Sequence, residues 1–310
     1  MLTGTATVVK NAGSHYLLSE LPRWDLFPAV LRGRIRLKAS EITNPIAVGD
    51  TVDYELDDNG GTAVITRIRD RKNYVIRRST NLSRQAHIIA ANVDMAYIIV
   101  SLYFPEIKLP FLDRILVTCE VYGIPATIVL AKTDLYREMA EEEIAVFRSI
   151  YESAGYRIIE SSVRSGEGID ELREACKGGI NLFSGESGVG KSSLIKALDP
   201  GLDPKIGQIS TAHLQGKHTT SLYEMYRLAS GGYVIDSPGL RGFGLVDLEK
   251  EEIARYFPEM LRAAENCRFT PCTHTHEPGC AVKEAVETGE IAAERYSSYL
   301  GMLEDDKKFR

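Results

Sequence analysis

The stretch INLFSGESGVGKSSLIKAL, Ile180 to Leu198, decides the fold. It joins a short apolar run, Ile180 to Phe183, to a helical run, Ser193 to Leu198, through Gly185-Glu186-Ser187-Gly188-Val189-Gly190-Lys191-Ser192. That octet fits G-x-x-x-x-G-K-[ST], and strand, loop, helix is the setting in which the pattern has meaning. Glycines let the loop wrap so that successive backbone N–H groups face phosphate oxygens. The helix that follows turns its positive end toward the same anion. Lys191 is placed to reach the β- and γ-phosphates and Ser192 to ligate Mg²⁺, with Ser193 completing the nucleotide-contacting run.

Downstream, Asp236-Ser237-Pro238-Gly239 follows the apolar Tyr233-Val234-Ile235. An Asp at a strand end, two residues, then Gly is what a nucleoside triphosphatase needs beside the γ-phosphate: Asp236 for a magnesium-bound water, the Gly239 N–H for the phosphate. Between these motifs lies the polar Gly216-Lys217-His218-Thr219-Thr220, where Thr219 or Thr220 is a natural Mg²⁺ ligand in the triphosphate state. Upstream, Ala131-Lys132-Thr133-Asp134 resembles the N-K-x-D base motif of GTPases. The Asp134 carboxylate can accept two hydrogen bonds from guanine, and a site built that way rejects a base that leaves it unpaired. Ser161-Ser162-Val163-Arg164 resembles the S-A-K loop that backs the guanine. Ala131 departs from the usual Asn, which braces the base and phosphate loops, and so loosens the expected grip; Val163 is a smaller departure. An ATPase is the alternative that Ala131 opens.

The order of these motifs is a rotation of the ordinary GTPase order, in which the phosphate loop comes first. Rejoining chain ends elsewhere permits this. The segment after Asp236 then leads straight into the C-terminal region, so a nucleotide-sensitive motion there would pull on whatever follows.

The flanking sequence supplies an α/β setting. Met95 to Ser101 and Ala126 to Ala131 are continuous apolar runs, as strands buried on both faces should be. Phe111, Leu112, Ile115, Leu116 and Cys119 stripe one helix, closed by Gly123 and Pro125. Ile144, Phe147, Ile150, Tyr151 and Ala154 stripe another, ending at Gly155. Arg157 to Glu160 reads as a further strand. Ligands in such sheets bind at the carboxyl ends of the strands.

Before residue 72 the pattern differs. Thr5 to Lys10, His15 to Glu20, Ala29 to Lys38, Thr51 to Leu56 and Thr62 to Arg69 read as short strands between turn formers. They suit a small barrel of the oligonucleotide-binding (OB) type, with an SH3-like barrel as the alternative. Arg32, Arg34, Arg36 and Lys38 alternate and so share a strand face. Arg67 and Arg69 open a second basic run that continues through Arg71, Lys72, Arg77 and Arg78. Such stripes suit phosphate-backbone contact. They are local, because 37 Lys and Arg face 43 Asp and Glu among 310 residues, a net charge of −6. A uniformly basic nucleic-acid binder is therefore excluded. No apolar run reaches the length of a membrane span, and the N-terminus has no secretory layout.

Five cysteines are too few for a disulfide scaffold and point to a reducing compartment. Cys119 and Cys176 lie on helical patterns and read as core. Cys267, Cys272, His274 and Cys280 have the spacing C-x4-C-x-H-x5-C, a closed tetrahedral set for one structural zinc. His276 is the rival ligand, read instead as facing solvent or RNA.

Taken together, the barrel, the rotated motifs and the C-x4-C-x-H-x5-C element resemble the ribosome small subunit-dependent GTPase A family, circularly permuted GTPases of late 30S assembly. G-K-H-T-T at Gly216 to Thr220 and D-S-P-G-L at Asp236 to Leu240 match its pattern, and the resemblance spans the whole chain. It implies a multidomain protein: an OB-like β-barrel that binds RNA or ribosome (1–72), a circularly permuted α/β P-loop GTPase domain (73–245) and a helical zinc-binding domain (246–310). It further implies GTP hydrolysis to GDP stimulated by the 30S subunit, contact with 16S rRNA, one structural Zn²⁺, Mg²⁺ with GTP, and a monomer acting in the cytoplasm without membrane contact. Leu240 stands where many GTPases carry a water-orienting Gln, so slow intrinsic hydrolysis is expected. His218 is the candidate to position the water once a partner orders its loop. A zinc-containing RNA-binding protein with a merely structural nucleotide pocket is the rival reading.

Overall fold

A computed structural model describes residues 2–32, 45–56, 61–78, 86–202, 223–237 and 248–304. The β-branched runs near the N-terminus form β1 (Leu2–Ala12), β2 (His15–Ser19), β3 (Phe27–Leu31), β4 (Thr51–Leu56) and β5 (Ala63–Ile68). These close into a five-stranded barrel in the order β1-β2-β3-β5-β4, with β4 returning to β1. Only the β3–β5 pair is parallel. Alternate residues point inward, as the strand period requires: Ala6 and Val8 meet Tyr16, Leu18, Val52, Tyr54 and Ile65 in one core. Gly4 sits where the wall is tightest, since a Cβ there would fall 2.7 Å from the Tyr54 hydroxyl oxygen.

Of the apolar runs after residue 90, β8 (Met95–Val100), β9 (Ala126–Ala131), β10 (Arg157–Ser161), β11 (Ile180–Gly185) and β13 (Tyr233–Asp236) are parallel, and β12 (Tyr223–Arg227) is the antiparallel edge. Their spatial order is β10-β9-β8-β11-β13-β12. Helices α1 (Leu109–Val121) and α2 (Glu141–Ala154) pack with Ile98, Val100, Ile128 and Leu130. Helices α3 (Ile169–Ala175) and α4 (Lys191–Leu198) pack with Tyr97, Ile99, Val129 and Phe183. Both sheet faces are thus covered, which explains the unbroken apolar strands. The strand carrying the phosphate loop is central although it comes late in the chain. That is the spatial signature of a rotated sequence, because β13, β11, β9 and β10 still deliver their motifs to one edge.

Barrel and sheet are continuous. β1 extends past the barrel to pair with β12, matching Lys10 to Glu224, and the Lys10 ammonium lies 3.0 Å from the Glu224 carboxylate. A hairpin of β6 (Tyr74–Arg78) and β7 (Ala86–Ala91) sits at the junction. The Asn73 amide donates to the Val93 carbonyl (2.9 Å) and accepts from its N–H (2.8 Å), locking the exit of this hairpin. Gly49 permits the close approach beneath it, with φ +92° and the Ala91 carbonyl where a Cβ would stand.

After residue 248 the chain is helical: a 3-10 turn (Lys250–Tyr256), then α5 (Pro258–Ala264), α6 (Ala281–Glu287) and α7 (Ala293–Glu304). Phe257, Met260, Val282 and Tyr299 share a core with Val117 of α1. At this joint Arg295 is fully buried. It donates to Asp113 (2.8 Å) and, through two nitrogens, to Glu259 (2.8 and 3.1 Å). Its guanidinium lies 4.6 Å from the Phe257 ring centroid. Among the described residues no helix is long and apolar enough to cross a membrane.

Candidate nucleotide site and metal centre

The phosphate loop leaves β11 at Gly185, where a Cβ would fall 2.6 Å from the Ile99 carbonyl oxygen. Gly188 (φ +83°) and Gly190 (φ +105°) take the left-handed backbone the wrap demands, while Val189 is buried and anchors the loop to the core. Glu186 and Ser192 are half-buried, and Ser187 and Ser193 are exposed. Lys191 opens α4 and places its ammonium 4.0 Å from the Asp236 carboxylate at the end of β13, both side chains being largely buried. One Asp236 oxygen, Oδ1, is buried without a hydrogen-bond partner among the described residues. Burial raises the pKa of this carboxyl, and Lys191 opposes the rise. A buried, unsatisfied carboxylate oxygen beside the phosphate loop is the donor a hard cation such as Mg²⁺ takes, so the residues present fit that ion. Ser237 fixes the strand end by bonding Ser184 (2.9 Å) and the Phe183 carbonyl (3.1 Å).

The base loop leaves β9 at Ala131, which is buried. Lys132 follows with φ +62°, and its ammonium donates to the carbonyls of Gly188 and Phe104, each at 2.6 Å. Thr133 is buried; its hydroxyl lies 2.9 Å from Glu167 and 3.2 Å from the Ser161 carbonyl. Glu167 is in turn paired with Arg137, which also reaches Glu160. Asp134 is exposed and accepts a 2.6 Å bond from Ser162. Ser162 also receives the Ser165 N–H (3.1 Å), and Val163 is exposed beside it. Thus β9, β10, β11 and β13 bring Lys132, Asp134, Ser162, Lys191 and Asp236 to one edge of the sheet. His218, Thr219, Thr220 and Gly239 lie outside the described residues.

The second centre is built by a loop. Cys267, Cys272, His274 and Cys280 offer ligand atoms that all lie within 4.8 Å of one another. The Cys267–His274, His274–Cys280 and Cys267–Cys280 separations are 3.6, 3.4 and 3.9 Å. Around a tetrahedral zinc, with Zn–S about 2.3 Å and Zn–N about 2.0–2.1 Å, ligand atoms stand about 3.5–3.8 Å apart, so this donor set fits. Tyr296 and Tyr299 of α7 donate to the His274 and Thr273 carbonyls, each at 2.6 Å. Glu277 accepts from the Thr273 hydroxyl (2.6 Å) and from the Thr273, Thr275 and His276 N–H groups (2.7, 3.0 and 3.2 Å); burial pushes its carboxyl up, but the Thr273 hydroxyl and the backbone N–H groups hold it well below the usual range. His276 is exposed.

On the barrel the basic run divides by role. Arg71 forms a double bond pair with the buried Asp50 (2.6 and 2.7 Å), and Lys72 pairs with Asp94. The first serves the fold, while Lys72 and Asp94 stay about half exposed. Arg32 pairs with Glu55, Arg69 pairs with Asp53, and both stay about half exposed. Arg67 is exposed. Arg34, Arg36 and Lys38 lie outside the described residues.

Residues 68–246 match the RsgA GTPase family. The chain belongs to it. The small ribosomal subunit biogenesis GTPase RsgA of Bacteroides fragilis (strain YCH46) is 46% identical over 301 residues, covering 97% of this chain and 96% of that one. The protein of the same name from Flavobacterium psychrophilum is 45% identical over 309 residues, with 99% and 94% covered. The crystal structure of YjeQ from Thermotoga maritima superposes with a TM-score of 0.81 at 34% identity over 100% of both chains. YloQ, described as a circularly permuted GTPase, gives a TM-score of 0.74 at 27% identity, with 100% and 97% covered.

Within this RsgA-family chain the Ala131 departure acquires a physical reading. The bridge from base loop to phosphate loop runs through Lys132, and the bridge from base loop to backing loop runs through Thr133, Glu167 and Arg137. A methyl group at 131 joins the core beneath Val189 instead. Sequence reading missed Glu167 and Arg137. Their signal was present only as unlike charges on loops far apart along the chain.

Proposed function

We propose that this protein is a GTP hydrolase that acts as a nucleotide-switched, late-stage assembly factor of the 30S subunit, stimulated by that subunit and contacting 16S rRNA. The observation that carries the reading is the Lys132 bridge. One ammonium joins the loop ending in Asp134 to the loop ending in Lys191, so a purine and a triphosphate tail are received by a single groove. The curated relatives named for small ribosomal subunit biogenesis supply the setting.

In this reading the backbone of Gly185 to Gly190 and the Lys191 ammonium hold the β- and γ-phosphates. Asp134 accepts from the guanine N1–H and exocyclic amine, and Ser162 keeps that carboxylate aimed. Ser192, Thr219 and Asp236 would hold Mg²⁺, whose charge would offset that of the phosphates. His218 positions the attacking water, the γ-phosphate leaves as inorganic phosphate, and GDP remains. Thr220 and Gly239 complete the loops around the γ-phosphate. The Asp236 segment then transmits the nucleotide state toward the C-terminal region, the kind of order change nucleotide switches use. Cys267, Cys272, His274 and Cys280 would hold one structural zinc and so fix the loop. Residues 1–72 dock on rRNA through Arg32, Arg34, Arg36, Lys38, Arg67 and Arg69. Residues 73–245 hydrolyse GTP, and residues 246–310 carry the zinc. The protein works as a monomer in the cytoplasm.

Multiple-turnover phosphate release from GTP, measured alone and with purified 30S, 50S and 70S particles, tests the proposal. Acceleration by 30S alone is expected. A rate untouched by 30S, or ATP competing with GTP on equal terms, contradicts it.

A further inference from the structure

Phe104 stands out beside the Lys132 bridge. Its side chain is 65% exposed, whereas the neighbouring Tyr103 packs on the buried Tyr136 at 5.6 Å between centroids. Its backbone has φ +58°, a conformation that bulky residues rarely adopt and that collects at ligand sites. The surroundings hold it there. The Lys132 ammonium donates to the Phe104 carbonyl at 2.6 Å while donating to the Gly188 carbonyl at 2.6 Å, and the Ser101 hydroxyl donates to the Tyr103 carbonyl. One cation therefore ties Phe104, the base loop and the phosphate loop together.

A nucleoside whose base lies at Asp134 and whose phosphates lie at Gly188 must run along the Lys132 stem. The Phe104 main chain borders that path through its bond from Lys132, and a large apolar ring left in water is unfavourable unless something covers it. Its only aromatic neighbour among the described residues is Tyr103, at 6.3 Å. A role in the core is excluded by its exposure.

We propose that Phe104 is a nucleoside-contacting residue, its ring covering the ribose and the adjoining edge of the purine beside the Lys132 stem. This rests on the nucleotide reading above. The ring meets no phosphate, so it strengthens GTP and GDP binding equally. Nor does it touch the hydrogen-bonding edge of guanine, so it leaves base choice to Asp134. The bond from Lys132 goes to the main chain, so trimming the side chain leaves that bridge in place.

The test uses the full-length protein and fluorescent mant-GDP, with competition by GDP and a non-hydrolysable GTP analogue. Phe104→Ala is expected to weaken both nucleotides by the same factor, about tenfold. Phe104→Leu and Phe104→Trp are expected to stay within about threefold of wild type. Trp24 is the sole tryptophan, so a Trp24→Phe/Phe104→Trp protein carries one indole, at the proposed contact. Its emission is expected to pass to bound mant-GDP and to recover when unlabelled GDP displaces it. A Phe104→Ala protein that binds both nucleotides as tightly as wild type overturns the proposal. So does an indole at 104 that does not respond to mant-GDP. Either result leaves the nucleotide site itself intact, whereas a wild-type protein that binds neither nucleotide overturns both readings.

Discussion

Arg295 is the residue whose loss the structure lets us weigh most closely. Its side chain and that of Asp113 are 0% exposed, and Glu259 is 4% exposed. Replacing Arg295 by Met keeps a long side chain among Phe257, Tyr151 and Tyr156 but removes three charged hydrogen bonds, leaving two carboxylates buried without a cation. Breaking one partner of such a buried arrangement destabilises by about 3–5 kcal/mol, which for a chain of this size is a melting shift of roughly 6–20 °C. The sign with pH follows from Asp113. Burial already raises its pKa in the native protein, with Arg295 pulling the other way, and removing that pull raises it further. A carboxyl whose folded pKa lies above its unfolded one lowers stability as pH climbs through that folded value. The Arg295→Met deficit should therefore be largest at pH 8 and shrink toward pH 5.5. Urea unfolding followed by circular dichroism at the two pH values reads this directly. The triple variant Asp113→Asn/Glu259→Gln/Arg295→Met should recover a substantial part of the loss, because no unpaired charge remains. A deficit under about 1 kcal/mol, or one that does not change with pH, would refute the reasoning.

Other outcomes follow from the same physics. Lys132→Ala removes two charge-assisted bonds and should weaken mant-GDP binding by about 30- to 150-fold; a change under threefold would show that the bridge is incidental. Asp236→Asn replaces a carboxylate whose burial outweighs its 4.0 Å ion pair with Lys191, so thermal scans of the nucleotide-free protein should show a gain of about 0.5–2 kcal/mol while magnesium-dependent phosphate release disappears. Because the Asp236 pKa lies above the usual carboxylate value, magnesium-dependent GTP binding should weaken with falling pH sooner than for an ordinary Asp, and titration calorimetry between pH 5 and 8 would show it. Metal analysis should find one zinc per chain, and chelation should unfold the 267–280 loop while sparing mant-GDP binding; loss of both together would tie the metal to the nucleotide groove.

Much of this architecture was legible because the informative signals are local. The apolar runs of β8, β9 and β11 are continuous since both faces of that sheet are covered, and the helical stripes at Ile115 and Ile144 follow from one-sided burial. The phosphate loop is readable because Gly188 and Gly190 are needed for a backbone that other residues avoid. The SH3-like alternative for the barrel fell to the parallel β3–β5 pairing, which joins strands separated by β4 and has no sequence signature. The β6–β7 hairpin was hidden because the short apolar stretch Tyr74 to Ile76 sits inside a charged run and β7 merges with the apolar run that leads into β8. Arg71 read as part of a basic stripe, and its buried partner Asp50 lies well before it in the chain. Arg295 gave no signal at all, because a buried Arg is marked only by carboxylates on two other helices.

The central claim is that Asp134 reads the base of a nucleotide whose phosphates Lys191 holds at the same edge of the sheet. The most direct measurement is competition among GTP, ATP and xanthosine triphosphate for the wild-type protein and for Asp134→Asn. Xanthine presents a carbonyl where guanine presents an amine, so an amide at 134 suits it and a carboxylate does not. Wild type should choose GTP over both rivals, and Asp134→Asn should lose GTP and gain xanthosine triphosphate. An Asp134→Asn protein that still binds GTP as wild type does would contradict the account.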